Sequence, residues 1–121
     1  IGSLIVILPH QRSGKIRIIA TGGSKRSATL PDVPTIAESG VPGYEANNWW
    51  GLLAPAGLPD AIVRKLNTES NTVMSLPDTK KRLTAEGAES LNVTPEQFAK
   101  HIAAEIAKWG KVTRDAGIKA E

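Results

Sequence analysis

Two histidines, twelve carboxylates and no cysteine make up the catalytic inventory of this 121-residue chain. His10 and His101 stand at opposite ends of the sequence, with no H-E-x-x-H spacing between them, so a metal site is not expected. The G-x-S-x-G elbow of serine hydrolases and the G-x-x-x-x-G-K-[ST] phosphate loop are both missing. Glu86 and Glu89 fall beside a helix end, where carboxylates are usually solvated. No general acid is set against a base, which argues against an enzyme and calls for no cofactor. What remains is donor chemistry: Thr21-Gly22-Gly23-Ser24-Lys25 offers hydroxyls and an approachable backbone. Ligands of open α/β sheets bind beyond the carboxyl ends of strands, and this loop follows the best strand signal in the chain. A plain turn is the competing reading.

That strand signal is Lys15 to Ala20, an isoleucine-rich run suited to a buried parallel strand. Before it, Leu4, Ile5 and Leu8 repeat at helical spacing behind Ser3 as N-cap, and Ser13-Gly14 supplies the stop. The β-branched Ile5, Val6 and Ile7 leave a strand open as the alternative there. Helix, turn, strand and small-residue loop together read as the tail of a βαβ unit.

From Arg26 to Gly57 the pattern changes. Pro31, Pro34, Pro42 and Pro55 stiffen this stretch, and it holds two of the three tryptophans. Thr35 to Ser39 reads as one or two helical turns ended by Gly40. Asn48 to Ala54 reads as a second strand broken off by Pro55. Its adjacent Trp49 and Trp50 must then point opposite ways, one toward the core and one toward a cleft or interface. The stretch divides two differently patterned halves and reads as a crossing between two bodies of structure.

Beyond Gly57 the signals are helical. Pro59 and Asp60 open one helix, and Ile62, Val63, Leu66, Val73 and Met74 make its apolar side. Pro77 opens a short one over Asp78 to Ala85, ended by Gly87. Thr94-Pro95-Glu96-Gln97 is a capping box, and the helix behind it runs to about Ala116 with Phe98, Ile102, Ile106, Trp109 and Val112 as its stripe.

At 40% apolar and 22% charged residues the composition is that of an ordinary soluble protein. The net charge of +3 is a mild excess, and Lys80-Lys81-Arg82 reads as a solvated helix face rather than a nucleic-acid contact. The opening run Leu4 to Leu8 is too short to span a bilayer, and no signal-peptide pattern precedes it. The chain starts on Ile1 rather than Met, so further sequence upstream is expected.

The order Leu30-Pro31-Asp32-Val33-Pro34-Thr35-Ile36-Ala37-Glu38-Ser39-Gly40, then Trp49-Trp50-Gly51-Leu52-Leu53-Ala54-Pro55-Ala56-Gly57, resembles the Bug family, the extracytoplasmic solute receptors of tripartite tricarboxylate transporters. Ser13-Gly14-Lys15-Ile16-Arg17, Glu86-Gly87-Ala88-Glu89 and Lys108-Trp109-Gly110-Lys111-Val112 extend the likeness over nearly the whole chain. The resemblance implies a periplasmic α/β binding protein of two parallel-sheet lobes joined by crossing strands, of which this chain is the C-terminal, helix-rich part. It implies that residues 1–46 end the second lobe, 47–57 cross, and 58–121 supply closing helices of the first lobe. It further implies a small carboxylate as ligand and membrane subunits as partners. Ser3, Thr21, Trp49, Trp50 and Gly51 are the cleft positions it carries over to this chain. Helix-start and hydroxyl donors suit an anion without a formal counter-charge. The alternative is an oligomeric fragment that retains no solute binding. Unpaired strand edges and bare apolar faces lead to the expectation of a homo-oligomer in either case.

Overall fold

The computed structural model describes residues 2–119 and forms four helices: α1 (Leu4–Arg12), α2 (Asp60–Ser75), α3 (Pro77–Ala85) and α4 (Pro95–Asp115). Each begins within a residue of its sequence signal. Ser3 caps α1 through its backbone: its carbonyl accepts from the N–H groups of Val6 and Ile7 at 3.1 and 3.0 Å, while its hydroxyl makes no capping bond. Pro59 stands just outside α2 rather than in its first turn. Leu76 is extended because Pro77 follows it, and this one residue separates α2 from α3. At α4 the capping box is complete. Gln97 N–H donates to Thr94 Oγ1 at 3.2 Å, and Thr94 N–H donates to Gln97 Oε1 at 2.8 Å.

α3 ends in a Schellman turn. Ala88 N–H donates to the Leu83 carbonyl at 2.9 Å and Gly87 N–H to the Thr84 carbonyl at 3.0 Å, with Gly87 at φ +77°. The same pair of bonds closes α1 at Gly14 and α4 at Gly117.

α2 packs against both α3 and α4. Side-chain amides fix the α3–α4 connection to it: Asn67 and Asn71 both donate to the Val93 carbonyl, at 2.9 and 3.3 Å, and Asn92 donates to Ser75 Oγ at 2.8 Å. The first part of the chain leans on the end of α3. Arg12 donates to the Ala85 carbonyl at 3.1 Å and Thr29 Oγ1 to the Thr84 carbonyl at 3.1 Å. Leu8, the one buried apolar side chain among the described residues, lies against Gly87.

The two expected strands are corrected by the structure. Among the described residues, Lys15 to Ala20 and Asn48 to Ala54 belong to no ladder and take no regular secondary structure. Among the described residues, the only pairing of β type is a parallel bridge between Thr21 and Thr35. Among the described residues, no backbone group from Ile16 to Ala20, nor from Asn47 to Leu58, bonds to another backbone group. The physical reason is that the described residues offer neither segment a neighbouring strand, and a β-segment gains its hydrogen bonds only from a partner. Thr35 to Ser39 is a single bonded turn rather than a helix, with Ser39 N–H donating to the Thr35 carbonyl at 3.0 Å.

Little is buried. The accessible surface is 9508 Å² for a 12.9 kDa chain, where a compact monomer of that mass exposes about 6,300 Å². Trp50, Leu52, Leu53 and Ile19 are each about 70–80% exposed, and the α4 residue Ile106 is 68% exposed. The apolar stripes that the sequence lays out are present, and much of their width has nothing packed on it.

Candidate ligand-binding site

Two clusters form around the candidate residues, and the head of the Asn47–Leu58 ribbon joins them. The first is built on Thr21. Its N–H donates to the Pro34 carbonyl and its carbonyl accepts from Ile36 N–H, both at 2.9 Å, which pins the Pro31–Thr35 loop beside the end of the Lys15–Ala20 segment. Thr35, 1% exposed, forms a second capping box: its N–H donates to Glu38 Oε2 at 2.7 Å, and its Oγ1 accepts from Glu38 N–H at 3.1 Å. Arg26 completes this clamp. Its Nε reaches both Glu38 oxygens at 3.2 and 2.9 Å, and its Nη1 donates to the Pro31 carbonyl at 3.3 Å. The Thr35 backbone N–H, then Arg26, hold the Glu38 carboxyl below the ordinary carboxylate range. Its charge is thereby matched inside the cluster.

Within this frame the Thr21 hydroxyl is buried and has no hydrogen-bond partner among the described residues. Buried polar atoms are rarely left so, and each instance asks for a reason. The double glycine next to it has a steric one. Gly22 accepts from Ala46 N–H at 2.8 Å, and a Cβ on Gly22 would stand 2.6 Å from the Ala46 carbonyl oxygen. Only a residue without a side chain lets the ribbon's head come this close.

The second cluster lies on α4. Trp49 meets Phe98 edge to face, with centroids 5.6 Å apart, and meets His101 at 5.1 Å. Gly51 sits directly on the Phe98 ring, where a Cβ would fall 2.1 Å from Cζ. Trp49 and Trp50 then flank an open groove of about 630 Å³ whose far side is Ile102, Glu105, Ile106 and Trp109. Glu105 accepts from Trp109 Nε1 at 2.8 Å and pairs with Lys108; Lys108, then Trp109, lower its pKa.

The five residues expected in the cleft are thus distributed. Trp49 and Gly51 share the Phe98 contact. Trp50 stands beside them, 69% exposed and without the aromatic packing of its neighbour. Thr21 belongs to the first cluster, reached through Gly22 and Ala46. Ser3 is not drawn to either: α1 faces Gly87 through Leu4 and Leu8. Sequence reasoning missed the Arg26–Thr35–Glu38 clamp, though Thr35-x-x-Glu38 is the capping-box spacing already used for Thr94-x-x-Gln97. It also missed the stacking role of His101. No cluster of His, Asp or Glu with metal-holding geometry occurs among the described residues, and no helix is long and apolar enough to cross a membrane.

The backbone path is that of known binding proteins. It superposes on the periplasmic binding protein BugD with a TM-score of 0.82 and 32% identity, covering 95% of this chain and 39% of that one. An R. palustris protein solved with adipate matches with the same TM-score and 39% identity, over 94% of this chain and 38% of its own length. The fold is therefore similar to part of a periplasmic binding protein. Residues 1–118 match the tripartite tricarboxylate transporter family receptor model, and the chain belongs to that family. Among curated relatives, BugT of Bordetella pertussis is 36% identical over 119 residues, which is 98% of this chain and 36% of BugT. The chain spans little more than a third of the length of these three proteins.

Proposed function

We propose that this chain forms part of an extracytoplasmic solute receptor, located in the periplasm, that holds a small carboxylate between two lobes and passes it to the membrane subunits of a tripartite transporter. It acts by binding and not by catalysis. The observation that carries this reading is the shared backbone path, at 39% identity, with a protein solved with adipate. The Thr21 hydroxyl supports it locally. A buried donor with no partner is what a carboxylate oxygen or a bridging water would satisfy. The Arg26–Glu38 pair supports it electrostatically, since the nearby carboxylate is already compensated and repels an incoming anion less. In this reading residues 1–46 close the second lobe, the ribbon crosses at 47–57, and α2 to α4 belong to the first lobe. Trp50, rather than Trp49, is the tryptophan free to wall the cleft.

A second reading, a fragment with no solute binding of its own, is favoured by the excess of exposed surface. Thermal unfolding with and without adipate and other di- and tricarboxylates separates the two. A ligand at a hundred times its Kd adds about 2.7 kcal/mol, so Tm rises with the logarithm of its concentration. Thr21→Val should remove the rise while leaving unliganded Tm within a few degrees. Flat melting curves at millimolar carboxylate for the full-length receptor would overturn the first reading, and a rise there with none for this chain alone would show that this chain by itself retains no solute binding.

A further inference from the structure

We infer that the end of α3 is a latch between two lobes: Arg12 and Thr29 on one lobe hold the last carbonyls of α3 on the other, and so favour the arrangement that encloses the solute. This rests on the receptor reading, in which residues 1–46 and α2 to α4 lie in different lobes. Several contacts between those two parts meet at one spot. Arg12 Nη2 donates to the Ala85 carbonyl at 3.1 Å, and Thr29 Oγ1 donates to the Thr84 carbonyl at 3.1 Å. Ala28 N–H donates to Glu89 Oε1 at 3.4 Å. Beneath them Leu4 and Leu8 close over Gly87.

The chemistry of a helix end explains the match. The last carbonyls of a helix lack intrahelical partners and carry the negative end of its dipole. In α3 the Schellman turn satisfies Leu83 and Thr84, while the Ala85 carbonyl receives no backbone N–H among the described residues. Arg12 brings a cation to it. Among the described residues Arg12 pairs with no carboxylate, so this carbonyl is the partner its charge has. Gly87 turns the chain without a side chain, which lets the leucines of α1 come close.

The contact has the make-up of a reversible one. Its hydrogen bonds are exposed, and Leu8 is its one buried apolar side chain. Among the described residues α1 packs along no other helix. Interfaces between domains of one chain are more polar than cores and yield to relative motion. The arrangement is also that of a ligand-holding relative: one superposition on the protein solved with adipate takes in both sides of the contact, over 94% of this chain. A receptor binds more weakly in proportion as its binding-competent form is depleted. Arg12 and Thr29 are thus positioning residues, which raise affinity without touching the solute.

The test is Arg12→Ala combined with Thr29→Val in the full-length receptor. Spin labels at His10→Cys and Lys81→Cys, on a cysteine-free background, report the separation of α1 from α3; both positions are exposed. Adipate binding is measured by calorimetry on the same proteins. In the wild type, adipate should gather the label distances into the short, latched population. The double variant should deplete that population without ligand and raise the adipate Kd about tenfold, with ligand-free Tm within a few degrees of wild type. Arg12→Lys keeps the cation and should recover most of the affinity that Arg12→Ala loses. A single label distance, unmoved by adipate and by the double variant, would overturn the latch, as would an unchanged adipate Kd. A collapse of ligand-free Tm in the double variant would mark the contact as packing within one body and overturn it equally. A wild type that binds no adipate, while its label distances still shift in the double variant, would leave the latch standing and count against the receptor reading.

Discussion

Gly51→Ala is the smallest change that tests whether the tryptophan ribbon rests on α4. Gly51 does not have positive φ, so backbone freedom is not what keeps it glycine. Space is. An added Cβ would stand 2.1 Å from Phe98 Cζ and 2.7 Å from Cε1, whereas carbon atoms settle at roughly 3.5–4.0 Å. The ring or the ribbon has to move by more than an ångström. Phe98 is not free to yield, because Trp49 abuts it edge-on and His101 lies nearly parallel to it, 18° between planes. Overpacking of this kind costs about 1–3 kcal/mol, and 1 kcal/mol moves Tm by roughly 4–8 °C in a domain near this size. Phe98→Leu removes the atoms in the way and should destabilise by about 1–2 kcal/mol as a partly exposed truncation. Combined with Gly51→Ala, it should recover much of the alanine's cost. A coupling of 1 kcal/mol or more between the two sites, from urea unfolding followed at 222 nm, is the expected result. If the two effects simply add to within about 0.5 kcal/mol, the ribbon does not lie on Phe98 and the second cluster is wrong as described.

The remaining predictions are more local. Gly87→Ala combines a φ of +77° with a Cβ 2.6 Å from Leu8 Cδ1 and 2.9 Å from Leu4 Cβ. Left-handed backbone and overpacking together should cost about 2–4 kcal/mol, and an unchanged melting temperature would show that α1 does not pack there. Glu38 has a lowered pKa, so its contribution is complete above the unfolded-state value of about 4.3 and is lost as pH falls through the folded value. Melts between pH 3 and 6 should therefore show an acid limb in the wild type that Glu38→Gln flattens; identical limbs would remove the clamp from the account. Thr94→Ala opens the α4 capping box and should cost about 1 kcal/mol, seen as faster amide exchange confined to the first turn of α4. Unaltered exchange there would mean the box carries no weight.

The helices were legible because their determinants are local. Ser3, Pro77, Thr94 and the glycines after α1, α3 and α4 act on the backbone within a few residues of themselves, so the chain's order fixes where each helix starts and stops. The family was legible for a similar reason, in the contiguous run from Leu30 to Gly57. The Arg26–Glu38 clamp was half legible: Thr35-x-x-Glu38 is written in the sequence, but Arg26 joins it only once the chain has turned back.

The strands were a different matter. Lys15 to Ala20 and Asn48 to Ala54 have strand composition, yet a strand is defined by its neighbour, and the described residues supply none. The same holds for the apolar stripe of α4. Periodicity at Phe98, Ile102, Ile106 and Trp109 says which face wants cover, and it is silent on what covers it. Trp49 and Trp50 make the division plain. Alternation along an extended segment sends adjacent side chains opposite ways, and that much is in the sequence. Which of them rests on Phe98 and which stays open was decided only when α4, some fifty residues further on, came to lie beneath the ribbon. Short-range sterics and hydrogen bonds act between neighbours in the chain, whereas burial depends on distant segments arriving together.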